Sequence, residues 1–258
     1  MRDKESRGEG LQDNKFNRQQ FVLVAHRGLA TKYPENTRIA LEAALTSNID
    51  MLEIDIHRTI DNHLVVIHDK TIDRTSNGKG KVKAYTLEAL RQFDFGIYKD
   101  EAFKGQIIMK LDDVLAMVKE APQKLLIELK YPKLYPNIEI ELLNKLEAYE
   151  MPKEKVIIQS FDQQVIQKIH NLKKGYKLGV LISKKKYWYR LPKFKQISKY
   201  AQYINPQFSL VNETFLKRAN KNGLMVMPYT VNDSETANRL ITLGVHGLIS
   251  DNPETLIN

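Results

Sequence analysis

Glu53 and Asp55 stand two residues apart in the apolar run "MLEIDI" (51–56). At that spacing on a strand both carboxylates point to one face. Two carboxylates turned into a protein interior repel each other unless a cation neutralises them, and hard divalent ions take oxygen ligands of this kind. Glu128 and Lys130 repeat the spacing in "LLIELK" (125–130), which offers a third carboxylate with a lysine one layer above it to face an anion. The run "FVLVA" (21–25) ends by presenting His26 and Arg27, and "LVVIH" (64–68) ends in His68. Imidazole titrates nearest neutrality, so two histidines beside a carboxylate-held cation read as an acid/base pair. A single histidine is more often packed or at the surface, and that is the reading for His57, His63, His170 and His246.

These residues need a frame that brings distant strand ends together. Nine short apolar runs alternate with helical patterns: 21–25, 51–56, 64–68, 125–129, 156–160, 177–182, 202–205, 224–228 and 247–250. Helices are expected at about 35–47, 86–94, 111–120, 135–149, 162–173, 212–221 and 233–243. Between 51–56 and 64–68 there is no room for the crossover helix that a parallel pair needs, so those two runs form a hairpin. A turn centred on Asp61-Asn62 pairs residue 60 with 63, and hence Asp55 with His68. Removing the return arm leaves eight runs, and the expectation is a (β/α)8 barrel with a long insertion, about residues 57–110, after the second strand. In such barrels the chemistry sits at the C-terminal strand ends, where His26-Arg27 falls. Gly28 permits a sharp turn there, and Asn36 or Thr37 can cap the helix that follows.

The chain has 258 residues, no cysteine and a formal charge of +9. One large α/β domain over 21–258 suits that length, preceded by a flexible polar arm at 1–20. Disulfides and cysteine-held zinc are excluded. No apolar run is long enough to span a membrane, and the first twenty residues lack the apolar core of a signal peptide. A cytoplasmic protein is expected, a surface form with a trimmed signal being the alternative. The basic excess suits phosphate-bearing substrates. There is no nucleophile elbow, P-loop or dinucleotide fingerprint, and nucleic acid is not an expected partner. The stretch "SKKKYWYRLPKFK" (183–195) is either a solvated basic loop or a weak contact for an anionic membrane surface.

The segments "AHRG…PENT…A" (25–40), "LEIDIHRTIDNHLVVIHDKTIDRTSNGKG" (52–80), "ELK" (128–130), "SFD" (160–162), "YTVND" (229–233) and "GVHGLISDNP" (244–253) resemble, in this order, the glycerophosphodiester phosphodiesterase family. The resemblance implies a TIM barrel with an insertion at 69–110. It implies metal-dependent hydrolysis of glycerophosphodiesters to glycerol 3-phosphate and an alcohol. His26 and His68 would be the acid/base pair. Glu53, Asp55 and Glu128 would hold one divalent cation, Mg2+ or Ca2+. Arg27 and Lys130 would contact the phosphate, and Tyr229, where the family often has Trp, would touch substrate. His246 stands where Asp is usual, and "IMKLDDVL" (107–114) departs from the family's usual lead into its helix. A phospholipase-like enzyme acting on lipids at a membrane and a non-catalytic phosphate-ester-binding barrel are the alternatives.

Overall fold

The computed structural model describes residues 21–256. The expected arm at 1–20 lies outside them. The strands are β1 (Val22–His26), β2 (Met51–Arg58), β3 (Leu64–Val66), β4 (Met109–Lys110), β5 (Lys124–Leu129), β6 (Val156–Ser160), β7 (Lys177–Ile182), β8 (Tyr203–Pro206), β9 (Met225–Val226) and β10 (Gly247–Ser250). Eight of them run side by side in the order β10-β1-β2-β5-β6-β7-β8-β9, every adjacent pair parallel. The ring closes between its ends: His246 N–H donates to the Val226 carbonyl and Ile249 N–H to that of Pro228. The result is the expected barrel. The nine apolar runs each overlap a strand, and the seven expected helices are present at Arg38–Leu45, Leu87–Leu90, Leu111–Glu120, Ile138–Ala148, Gln163–Asn171, Glu213–Lys221 and Ser234–Leu243. The stretch 183–195 is not all loop, since short helices form at Lys184–Tyr187 and Phe194–Ile197.

Strand alternation divides the core. One side chain from each of several strand positions (Val24, Met51, Leu126, Ile157, Met227 and Ile249) meets the others in a buried cluster, which is the floor of the barrel interior. A larger cluster lies between the ring and its helices. Two residues beyond the floor, the inward face carries His26, Glu53, Glu128, Gln159 and Asp251, so the interior turns from apolar to polar toward the C-terminal mouth. Gln159 accepts a hydrogen bond from Asn205 Nδ2 at 2.7 Å. Gly179 sits between them, where a side chain would crowd the Gln159 and Tyr203 Cβ atoms.

The hairpin forms one residue out of the expected register. Ile56 pairs with Val66, His57 with Val65 and Arg58 with Leu64, and Ile67 N–H donates to the Asp55 carbonyl at 3.0 Å. Asp55 is therefore opposite Ile67, not His68. The turn holds three residues rather than two: Ile60, Asp61 and Asn62 lie between Thr59 and His63, with Asn62 at φ +64°. Asp61 fixes this turn by accepting from the Thr59 hydroxyl and the Leu87 N–H. β3 stops at Val66, and the chain that follows builds a small body with its own core of Val65, Ile67, Ile72, Val82, Leu87, Leu90, Phe95 and Ile108. The two-residue β4 pairs with β3 and returns the chain to the ring.

Candidate active site

Glu53 and Asp55 on β2 and Glu128 on β5 place one carboxylate oxygen each within 4.8 Å of one another, all three residues buried. The register fixes this, because Asp55 lies beside Glu128 across the parallel pair. Burial and the neighbouring charges of Asp55 and Glu128 hold the Glu53 carboxyl well above the usual carboxylate range. Burial pushes Glu128 up to about 7 although Lys130 pulls the other way. Asp55 is the anion of the set: burial opposes its charge, but Lys130 and Arg27 outweigh that and lower its pKa. Glu53 Oε1 and Asp55 Oδ1 are buried without a hydrogen-bond partner. Three converging carboxylates, two of which carry an oxygen with no hydrogen-bond partner, fit a hard divalent cation.

The cations around this cluster are fixed. Lys130 Nζ lies 2.8 Å from Glu128 Oε1 and 3.6 Å from Asp55 Oδ1. Arg27, at φ +57°, turns off the end of β1; its Nε is 3.2 Å from Asp55 and its guanidinium donates to Glu35 at 2.9 Å. Gly28 follows at φ +83°, where a Cβ would strike the Ala40 carbonyl at 2.5 Å. Asn36 is not a helix cap. It is buried at φ +58° and donates from Nδ2 to Asp55 at 3.1 Å. Thr37 takes the N-cap position with no side-chain cap bond, its hydroxyl donating to the Pro34 carbonyl instead.

Each candidate histidine has a carboxylate behind it. His26 Nδ1 donates to Asp251 at 2.6 Å, leaving Nε2 4.0 Å from Glu53. Asn232 in turn donates to the other Asp251 oxygen at 2.7 Å. His68 Nδ1 donates to Asp69 at 2.6 Å. Burial lowers the His68 pKa, Asp55 and Asp69 pulling it back up. Arg74 joins the two halves of the mouth: its Nε donates to Asp69 at 2.7 Å, and it grips Glu35 at 2.7 and 2.8 Å. Asp69 is held down to about 2, burial being outweighed by its bonds to Arg74 and His68. Carboxylate-backed imidazoles have a fixed tautomer and orientation, with Nε2 left to face substrate.

His57 shares the inward face of β2 with Glu53 and Asp55 but is fully buried. It accepts at Nδ1 from the Tyr135 hydroxyl at 2.7 Å and donates from Nε2 to the His68 carbonyl at 3.1 Å. Burial lowers its pKa to about 4, so it stays neutral and anchors the backbone of His68. This bond delivers His68 to the mouth despite the register. Tyr229 is half-buried; its hydroxyl donates to the Ile182 carbonyl at 3.2 Å and its ring meets Phe161 edge-on at 5.9 Å. The hydroxyl is thus already engaged. His246 lies at the other end of the barrel, accepting from Val226 N–H.

Asp251, Asp69, Glu35 and Arg74 were not singled out from sequence, and Asn36 was read there only as a possible helix cap. Asp251 had a readable signal, since it stands two residues past Ile249 on the same face of the last strand. Asp69 directly follows His68.

The chain matches the glycerophosphoryl diester phosphodiesterase family over residues 26–255. It is 36% identical over 240 residues to a glycerophosphodiester phosphodiesterase of Caldanaerobacter subterraneus subsp. tengcongensis, covering 92% of this chain and 96% of that one. It is 30% identical to a glycerophosphodiester phosphodiesterase of Bacillus subtilis, covering 91% and 84%. In fold it is similar to a phosphodiesterase of Oleispira antarctica solved with the product sn-glycerol-3-phosphate, with TM-score 0.84, 23% identity and coverage of 91% and 94%. With the barrel, the match along nearly all of its length and these relatives in agreement, the chain belongs to the glycerophosphoryl diester phosphodiesterase family.

Proposed function

We propose that this protein hydrolyses glycerophosphodiesters to glycerol 3-phosphate and an alcohol, with His26 and His68 as its acid/base pair. The observation that carries this reading is the triple-carboxylate cluster flanked by two histidines, each backed by its own carboxylate at 2.6 Å. Glu53, Asp55 and Glu128 would hold one divalent cation, Mg2+ or Ca2+, which when bound polarises the phosphoryl oxygen. Arg27 and Lys130 bind the non-bridging oxygens and offset the charge that grows on them. His68 lines the groove leading out of the mouth and His26 does not, which supports placing His68 on the leaving-alcohol side. His26 then takes the proton of the glycerol 2-hydroxyl as that oxygen bonds to phosphorus. His68 gives its proton to the departing oxygen as the old P–O bond breaks. Water opens the resulting cyclic phosphate with the two roles exchanged. The Tyr229 ring, rather than its hydroxyl, is the part that can touch substrate. A barrel that only bound phosphate esters would need no such pair.

A panel of glycerophosphocholine, -ethanolamine, -glycerol and -inositol with Mg2+, Ca2+, Mn2+ or chelator tests this. Turnover should need the cation, and His26→Ala and His68→Ala should each lower kcat by roughly 10²- to 10⁴-fold. Full turnover in excess chelator after dialysis would refute the reading. Trp188 and Tyr189, 71% and 63% exposed among lysines 184–186 and Arg190, favour a second reading in which substrate is a lysophospholipid at an anionic surface. Among the described residues no helix is long and apolar enough to cross a membrane, so such contact would be peripheral. Sedimentation with anionic liposomes, lost in a Trp188→Ala/Tyr189→Ala variant, tests it.

A further inference from the structure

A groove of about 1010 Å³ runs outward from His68, Glu128 and Lys130 between the segments that follow β5, β6 and β7. It is far larger than a glycerol phosphate needs. Its outer walls carry Lys70, Lys133, Lys185 and Lys186, all exposed. Lys70 and Lys185 have no carboxylate within ion-pair distance among the described residues. Beyond the candidate metal ligand Glu128, the lining has one acid, Asp162. That carboxylate is occupied: Oδ1 accepts from Gln164 N–H at 2.9 Å, capping a helix, and Oδ2 lies 3.9 Å from Lys133.

A cationic headgroup could be held here by a free carboxylate or by open aromatic faces. The carboxylate is not free. The aromatic walls are partly open, Phe161 being 41% and Tyr131 51% exposed, but Lys130 Nζ already lies 5.8 Å from the Phe161 centroid and repels a second cation there. Unpaired lysines lining one cleft attract and orient an anion.

We propose that this groove selects diesters whose leaving alcohol itself carries a phosphate. The inference rests on the hydrolytic reading above and adds the class of alcohol. The test compares kcat/KM, with Mg2+ or Ca2+ supplied, for glycerophosphocholine, glycerophosphoglycerol and glycerophosphoglycerol bearing a phosphate on its distal hydroxyl. The expected order is anionic over neutral over cationic. The anionic-to-neutral ratio should be about tenfold at low ionic strength and shrink as salt rises past the point where exposed charges are screened. Charge reversal in Lys185→Glu/Lys186→Glu should bring that ratio below one, while Lys185→Arg/Lys186→Arg should keep it. A wild-type ratio near one, a preference for the choline diester, or a ratio unmoved by charge reversal overturns the proposal and leaves the hydrolytic reading standing. Turnover of none of the three overturns both.

Discussion

Asp251 Oδ1 lies 2.6 Å from His26 Nδ1, although the two residues are 225 positions apart. They meet because β1 and β10 are neighbours in the closed ring, with Ala25 beside Ser250. Asp251→Asn keeps the shape but can present an amide N–H to the imidazole, favouring the wrong tautomer. It should lower kcat by roughly 10²-fold or more with little change in KM. Asp251→Asn combined with His26→Ala should be no slower than His26→Ala alone, because the aspartate acts only through the ring. Multiplicative losses in the double variant would show that Asp251 has a separate task.

The carboxylate cluster makes cation binding a proton-linked event. With Glu53 held well above the usual range and Glu128 at about 7, the cation-free site carries protons near neutral pH. A divalent cation must displace them, so it binds more tightly as pH rises. At about a hundredfold excess over Kd, binding should raise Tm on the order of 5–10 °C. The rise should be greater at pH 8 than at pH 6 and should vanish in Glu128→Gln. A thermal-shift series in which Glu128→Gln responds like the wild type would rule this out.

His68 should titrate below the ordinary imidazole value, because burial opposes its charge. Its bond to Asp69 works in the opposite direction, so Asp69→Asn should lower its pKa further. The sign for stability follows. The unfolded chain takes up this proton first as pH falls, so the contribution is present above the ordinary imidazole pKa and is lost below it. Histidine NMR titration of the cation-loaded protein reads the shift directly, and a rise in Asp69→Asn would contradict the assignment.

Arg74 joins Asp69, behind His68, to Glu35, behind Arg27. Removing it should loosen a proton carrier and a phosphate ligand together. Arg74→Ala should lower kcat/KM by about tenfold while changing stability by less than about 1 kcal/mol, since exposed ion pairs contribute little. Arg38→Ala, which removes an exposed arginine paired with Glu42, is the control and should leave kcat/KM unchanged. Equal effects from the two variants would deny Arg74 any special position.

The ring and the face that carries the candidate site were legible because both rest on strand alternation. Glu53 with Asp55, and Glu128 with Lys130, declare a common direction by a spacing of two, and the hairpin declares itself by lacking room for a helix. Its register was not legible, because the three-residue turn depends on Asp61 bonding Leu87, twenty-six residues on. Asn36 looked like a helix cap, since asparagine before a helix usually is one; only the fold shows Asp55 within its reach. The pairing of Asp251 with His26 was hidden for the same reason, being supplied by ring closure. β4 is two residues long, too short for any periodicity to show.

The proposed chemistry and the proposed leaving-group groove occupy different arcs of the same circle. His26, Asp251, Glu53, Asp55 and His68 come from β10, β1, β2 and the hairpin, while Lys133, Phe161 and Lys185 hang from the segments after β5, β6 and β7. The arcs overlap at Glu128 and Lys130 and, on the hairpin side, at His68 and Lys70. A lineage can therefore redraw the alcohol it accepts through surface changes on one side of the mouth, leaving the proton-transfer side intact. Divergence among such barrels should collect in those three segments, and a graft of them from one relative to another should carry the substrate preference with it.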